Sequence, residues 1–140
     1  MFSTPTRTTL RSAASLRVAN NLGMRRYTSK AAGGRVFEIT AETFDHDVLE
    51  SKVPTIVDFY ASWCQPCKIL GPILAKAVEK DGRLNLAKIN VDENLDLARD
   101  YQITSLPTVM AFRNGEPIGA FIGMRPPAAI DQFIKETVEN

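Results

Sequence analysis

The run Thr55-Ile-Val-Asp-Phe-Tyr60 constrains the fold more than any other stretch of this 140-residue chain. Its β-branched and aromatic residues favour an extended strand, and apart from Asp58 it is apolar at odd and even positions alike. Such a strand must be covered on both faces, which calls for a sheet with helices on either side. The flanking segments supply them. Val36-Phe37-Glu38-Ile39 reads as a short strand, and Thr40 is placed to cap a helix from about Ala41 to Ser51. Helical spacing from Cys67 to Lys80 sets Ile69, Leu70, Ile73, Leu74, Ala77 and Val78 on one side, and Pro72 within it predicts a kink. Leu84 to Val91 reads as a second buried strand and Asn94 to Tyr101 as a short helix. Thr108–Arg113 and Pro117–Ile122 flank Asn114-Gly115, a strong hairpin signal, and a last helix runs from about Ala128 to Glu139. The order β-α-β-α-β-α-β-β-α predicts an α/β fold: one central mixed five-stranded sheet flanked by four helices, without repeats or a second domain.

Charge is distributed unevenly along the chain. All 16 acidic residues lie at Glu38 or later, whereas residues 1–30 hold six of the 17 bases and nine Ser or Thr. Across 31–140 eleven bases face sixteen acids, a net charge of −5, so nucleic acid is not an expected partner. An Arg-rich, Ser-rich, acid-free leader has the composition of an organelle transit peptide. No apolar run there matches a secretory signal, and none in the chain approaches a membrane span. Arg25-Arg26-Tyr27-Thr28 resembles mitochondrial processing sites. The reading is therefore a transit peptide over 1–27, a flexible mature N-terminus over 28–35 and a folded domain over 36–140, with import into the mitochondrial matrix. The alternative is a basic leader that carries no address.

Chemistry concentrates at the only two cysteines, in Trp63-Cys64-Gln65-Pro66-Cys67-Lys68, where a strand ends and a helix begins. Disulfide exchange requires a thiolate, and the free N–H groups and dipole of a helix N-terminus stabilise one. Cys64 at that end is the expected nucleophile. Cys67, one turn inward and less exposed, is expected to resolve the mixed disulfide, with Pro66 restricting the turn between them. Two alternatives stand beside this: half of a zinc site, or two inert buried cysteines. Structural zinc wants four ligands, and the chain adds only one histidine, His46, on another helix; two chains sharing a metal would be needed. The βαβ setting favours redox chemistry.

The run from Val57 to Lys68 closely resembles the active-site strand and loop of thioredoxins. So do Pro72, Ala87-Lys88-Ile89-Asn90-Val91-Asp92, Ser105-Leu106-Pro107-Thr108 and Phe112-Arg113-Asn114-Gly115, in the family's order and spacing over about residues 35–140. The resemblance implies the thioredoxin fold. It also implies that Asp58 accepts the Cys67 proton, through a water, with Lys88 beside it. A buried carboxyl of raised pKa suits that task, though Asp58 paired structurally to Lys88, and Lys88 snorkelling to solvent, are the plainer readings. Pro107 matches the family's cis proline, where the preceding backbone pairs with the substrate chain. Trp63, Gln65, Pro66, Ser105, Leu106, Pro107, Gly123 and Met124 are the implied substrate-binding residues, with Ile103 and Ile122 in the same apolar patch or in the core.

Gln65 stands where most thioredoxins carry glycine, and Tyr60 where many carry tryptophan. The dipeptide between the cysteines lacks the histidine of disulfide isomerases, and this with the matrix address favours a protein-disulfide reductase over an oxidase or isomerase of the same fold; both cysteines together with Asp58 and Pro107 weigh against a binding subunit that leaves its thiols unused. No G-x-G-x-x-G motif occurs, so no cofactor beyond the Cys64–Cys67 couple is expected. The family implies that electrons come from NADPH through a separate flavoprotein thioredoxin reductase. The partners are then that reductase and disulfide-containing client proteins, with no metal and no membrane, and the protein acting as a monomer. A fluorescent reporter fused behind residues 1–30 is expected to enter mitochondria; a reporter left in the cytosol would overturn the transit-peptide reading.

Overall fold

The computed structural model describes residues 33–139, so the leader and the proposed processing site lie outside the described residues. The five strands are β1 (Val36–Glu38), β2 (Thr55–Tyr60), β3 (Asn85–Asn90), β4 (Thr108–Arg113) and β5 (Glu116–Ile122). Three α-helices, α1 (Gln65–Asp81), α2 (Leu95–Asp100) and α3 (Pro127–Glu139), and a π-helical turn at Asp45–Leu49 accompany the sheet, and a short 3-10 turn at Val91–Glu93 leads into α2. The sheet order is β1-β3-β2-β4-β5, with β2 at the centre. β3 runs parallel to both β1 and β2, whereas β4 is antiparallel to β2 and to β5. Parallel neighbours require a crossover, and α1 carries the chain from β2 to β3.

Alternation along β2 divides the core in two. Val57 and Phe59 enter a cluster with Phe44, Val48, Ala87, Ile89, Ala98 and both cysteines. Ile56 points the other way, with Leu70, Leu74 and Val78 of α1 and Ile130 and Ile134 of α3. Asp58 shares the Ile56 face by the two-residue period, so its carboxyl lies under α1.

Most predicted boundaries agree to within a few residues, and each end has a local cause. α1 starts two residues earlier than its apolar spacing suggested because Cys64 is its N-cap. It ends at Gly82, whose left-handed φ of 77° closes the helix with an N–H bond to the Val78 carbonyl. The helix runs on through Pro72, which removes one internal hydrogen-bond donor without ending it. At the hairpin, Asn114 and Gly115 both adopt positive φ, 54° and 83°, as a tight two-residue turn requires.

The segment expected as a helix over 41–51 differs. The Thr43 hydroxyl accepts from the Thr40 N–H and donates to the Thr40 carbonyl, so a separate turn forms ahead of the helix and Thr40 caps nothing. Beyond it the backbone winds as a π-turn over Asp45–Leu49, with Phe44 and Val48 buried. Phe44 packs edge-on to Phe112 at 5.6 Å and tilted against Tyr101 at 5.4 Å, and this tertiary anchoring overrides ordinary helical winding.

Ordered contacts begin ahead of β1. The Gly34 N–H donates to the Leu84 carbonyl at 2.7 Å, and the Arg35 N–H to Asn85 Oδ1 at 3.0 Å. A Cβ at Gly33 would come within 2.6 Å of the Gly82 carbonyl oxygen, so the chain enters the domain where only glycine fits. Among the described residues no helix is long and apolar enough to cross a membrane.

Leu74 is fully buried between α1 and the sheet. Leu74→Ala is expected to cost about 3 kcal/mol of unfolding free energy in denaturant titration, because it removes apolar contact and leaves a cavity that rigid strands cannot close.

Candidate active site

The sequence from β2 to α1 builds the site. Cys64 has extended backbone at the N-cap, and its Sγ accepts a hydrogen bond from the Cys67 N–H at 3.2 Å. The first turn of α1 contains no acidic residue, so nothing there opposes the helix dipole at that sulfur. Cys64 and Cys67 are joined as a disulfide with their Cα atoms 5.3 Å apart. Reading Cys67 as the less exposed of the two needs correction for this oxidised form. The two are 4% and 5% exposed, because the disulfide draws both sulfurs into the same packed surface. What separates them is position: Cys64 receives the helix N–H, whereas Cys67 opens on the cavity behind it.

That cavity, about 250 Å³, is walled by Asp58, Tyr60, Cys67, Gly71, Pro72 and Lys88 among others. It is large enough for ordered water between the Asp58 carboxyl and the Cys67 sulfur. Asp58 is 1% exposed, and its Oδ1 has no hydrogen-bond partner. Burial pushes its pKa up to about 6, the positive charge of Lys88 lowers it and the negative charge of Glu38 raises it further. Lys88 is the register partner of Asp58 across β2 and β3, yet the two do not form an ion pair. The Lys88 ammonium lies instead over the Tyr60 ring, 5.3 Å from its centroid. Neither a structural Asp58–Lys88 pair nor a lysine simply reaching for solvent describes this arrangement.

Trp63, Ile122 and Met124 are exposed apolar side chains, at 68%, 54% and 41%, and Trp63 immediately precedes Cys64. Gln65, Pro66 and Ser105 are also exposed. Ile122 is therefore surface, whereas Ile103 and Leu106 pack partly against the core cluster that holds both cysteines. The Leu106–Pro107 peptide is cis, as the resemblance implied, and the Pro107 carbonyl accepts from the Gly123 N–H at 2.8 Å, tying two loops of the patch together. The Trp63 indole N–H donates to Asp92 Oδ2 at 2.8 Å, which fixes the exposed ring.

Three residues of the site had no assigned role in the sequence reading: Asp92, Glu38 and Tyr60, whose hydroxyl donates to Glu38 Oε1 at 2.9 Å. The Tyr60 hydroxyl is pushed up to about 12 by burial and by that bond. Each contact joins residues more than 20 positions apart, and only a polar residue inside a strand, such as Glu38, hinted at one. His46 is held by its neighbour Asp47, and among the described residues no group of three or more His, Cys, Asp or Glu side chains is placed to hold a metal.

The raised carboxyl has a consequence for stability. In the unfolded chain Asp58 ionises near 3.8, and in the fold only near 6. Its stabilising contribution is thus complete below about pH 4 and lost as pH rises through 6. Asp58→Asn is expected to unfold with up to about 3 kcal/mol more free energy than the unsubstituted protein at pH 7–8, the difference vanishing below about pH 4 in a pH series of denaturant titrations.

The thioredoxin family model matches residues 35–136. A probable thioredoxin-2 from Caenorhabditis elegans is 47% identical over 108 residues, covering 76% of this chain and 74% of that one. The mitochondrial thioredoxin of Bos taurus is 41% identical over 96 residues, covering 68% of this chain and 58% of its own length. A bifunctional thioredoxin reductase/thioredoxin from Mycobacterium leprae is 38% identical over 114 residues, 81% of this chain and 25% of the longer protein. Among solved structures, a mutant thioredoxin of Halobacterium salinarum superposes with a TM-score of 0.71 at 31% identity, covering 79% of this chain and 96% of that one. The chain belongs to the thioredoxin family, and Cys64–Cys67 is the exchange couple of a protein-disulfide reductase.

Proposed function

We propose that the protein reduces client disulfides in the mitochondrial matrix as a monomer, with Cys64 attacking and Cys67 resolving. The observation that carries the order of events is the Cys67 N–H directed at Cys64 Sγ, which stabilises a thiolate at the first cysteine and not at the second. In the first step Cys64 Sγ attacks one sulfur of the client disulfide, forming a mixed disulfide and expelling a client thiolate. In the second, Cys67 gives its proton to Asp58 across the cavity and attacks Cys64 Sγ, releasing the other client thiolate and closing Cys64–Cys67. Two electrons pass to the client. A carboxyl with a pKa near 6 is ionised at neutral pH yet retains affinity for the proton, which fits a base for the second step.

Trp63, Gln65, Pro66, Ser105, Leu106, Pro107, Gly123 and Met124 form the client-binding face in this reading. Its exposed apolar surface beside a loop edge suits an extended peptide segment. Lys88 tunes Asp58 from across the sheet. A separate NADPH-dependent thioredoxin reductase returns the electrons. The fused reductase and thioredoxin of the Mycobacterium leprae relative supports that partnership, and the bovine mitochondrial relative together with the Arg-rich leader supports the compartment.

Cys67→Ser should accumulate client proteins as mixed disulfides on Cys64, released by added dithiol and visible on non-reducing gels. Cys64→Ser should trap none. Equal trapping by both variants, or by neither, would overturn the assignment of nucleophile and resolver.

A further inference from the structure

Three neighbouring strands carry ionisable residues in one row. Glu38 on β1 is the register partner of Lys88 on β3, and Lys88 is that of Asp58 on β2. Side chains in register on adjacent strands share a face, here the face under α1, since Val36, Leu86 and Ile56 two residues earlier all belong to the core on that side. Tyr60, two residues beyond Asp58, completes the group. Its hydroxyl reaches over β3 to Glu38 Oε1 at 2.9 Å, and its ring carries the Lys88 ammonium. From α1 the Gly71 position closes the opposite side, where a Cβ would stand 3.5 Å from Lys88 Nζ.

We propose that Glu38 and Tyr60 are positioning residues for the exchange reaction: their hydrogen bond spans β3 and keeps the Lys88 ammonium above the Tyr60 ring, between two carboxylates and not paired to Asp58. The proposal rests on Asp58 serving as the proton acceptor for Cys67. A direct Lys88–Asp58 ion pair would hold Asp58 as a stable anion and make it a poor base. Glu38, in register beside Lys88, adds a second negative charge to the row, and that charge acts on the Asp58 carboxyl in the raising direction. The charged and titratable groups facing Asp58 are Lys88 and Glu38 in the row, Tyr60 on its own strand, and Cys67 and Lys68 on α1; its β4 neighbour Val109 is apolar. Glu38 is exposed, so replacing it does not disturb the core.

The test is a carbon-13 NMR titration of the Asp58 carboxyl in the reduced protein, beside the pH profile of mixed-disulfide release by Cys67. Glu38→Gln keeps the side-chain length but removes the charge. It should lower the Asp58 midpoint by on the order of half a pH unit, as expected of a unit charge about two strand spacings away. Tyr60→Phe keeps the ring but frees Glu38, so the midpoint should fall by less, and Glu38→Asp, too short for the hydroxyl, should match Tyr60→Phe. The release profile should move to lower pH with the midpoint. An unmoved midpoint in Glu38→Gln overturns the positioning proposal whatever the rates do. A separate control, Asp58→Asn with an unaltered release profile, would remove the proton-acceptor reading itself and the proposal with it.

Discussion

The burial of β2 on both faces is the constraint on which the rest of this structure depends. A strand with no solvent side must have helices above and below it, and its end must deliver the chain into one of them. Here that transition ends at Cys64, so the proposed nucleophile caps α1 while the proposed base, Asp58, lies in β2 beneath that helix. β2, the short turn at residues 61–63 and the first turn of α1 together set the spacing between the Cys67 thiol and the Asp58 carboxyl. The arrangement carries a cost in stability, because an interior carboxyl without a partner for Oδ1 is retained where an apolar side chain would pack.

Two kinds of surface meet at the cysteine pair. The outer one, the proposed client face with Trp63, Ile122 and Met124, exposes apolar side chains, and it is braced by the Trp63–Asp92 and Gly123–Pro107 hydrogen bonds. The inner one is a cavity with Asp58 and Lys88 in its walls that reaches Cys67 but whose walls do not include Cys64. In the proposed reaction, attack from outside and proton removal from inside use different faces of the cysteine pair. This separation distinguishes the two sulfurs in the oxidised form, where their exposures are nearly equal.

Much of the fold was legible from the residues. The five strands, the hairpin at Asn114-Gly115 and the helix N-terminus at the cysteines rest on alternation, turn chemistry and capping, which are interactions between near neighbours in the chain. The π-turn at Asp45–Leu49 was not, because Phe44 is held by Tyr101 and Phe112, residues more than 50 positions away. Ile103 and Ile122 had equal claims to core and surface: the edge strand β5 exposes all its residues but Phe121, which puts Ile122 on the surface, whereas Ile103, ahead of β4, packs against the core cluster.

Local residue chemistry determined that a sheet would be covered on both faces, that Cys64 would stand at a helix N-terminus, and that Asp58 would be buried, since these depend on side-chain periodicity and on the order of elements. Tertiary structure alone decided that Glu38, Lys88 and Asp58 would form one row, that Lys88 would rest on Tyr60 without pairing to Asp58, and that a cavity would join Asp58 to Cys67. Register between strands distant in the chain is selected by the packing of the whole sheet against α1, and a one-residue slip of any of the three strands would have sent its member of that row to the opposite face.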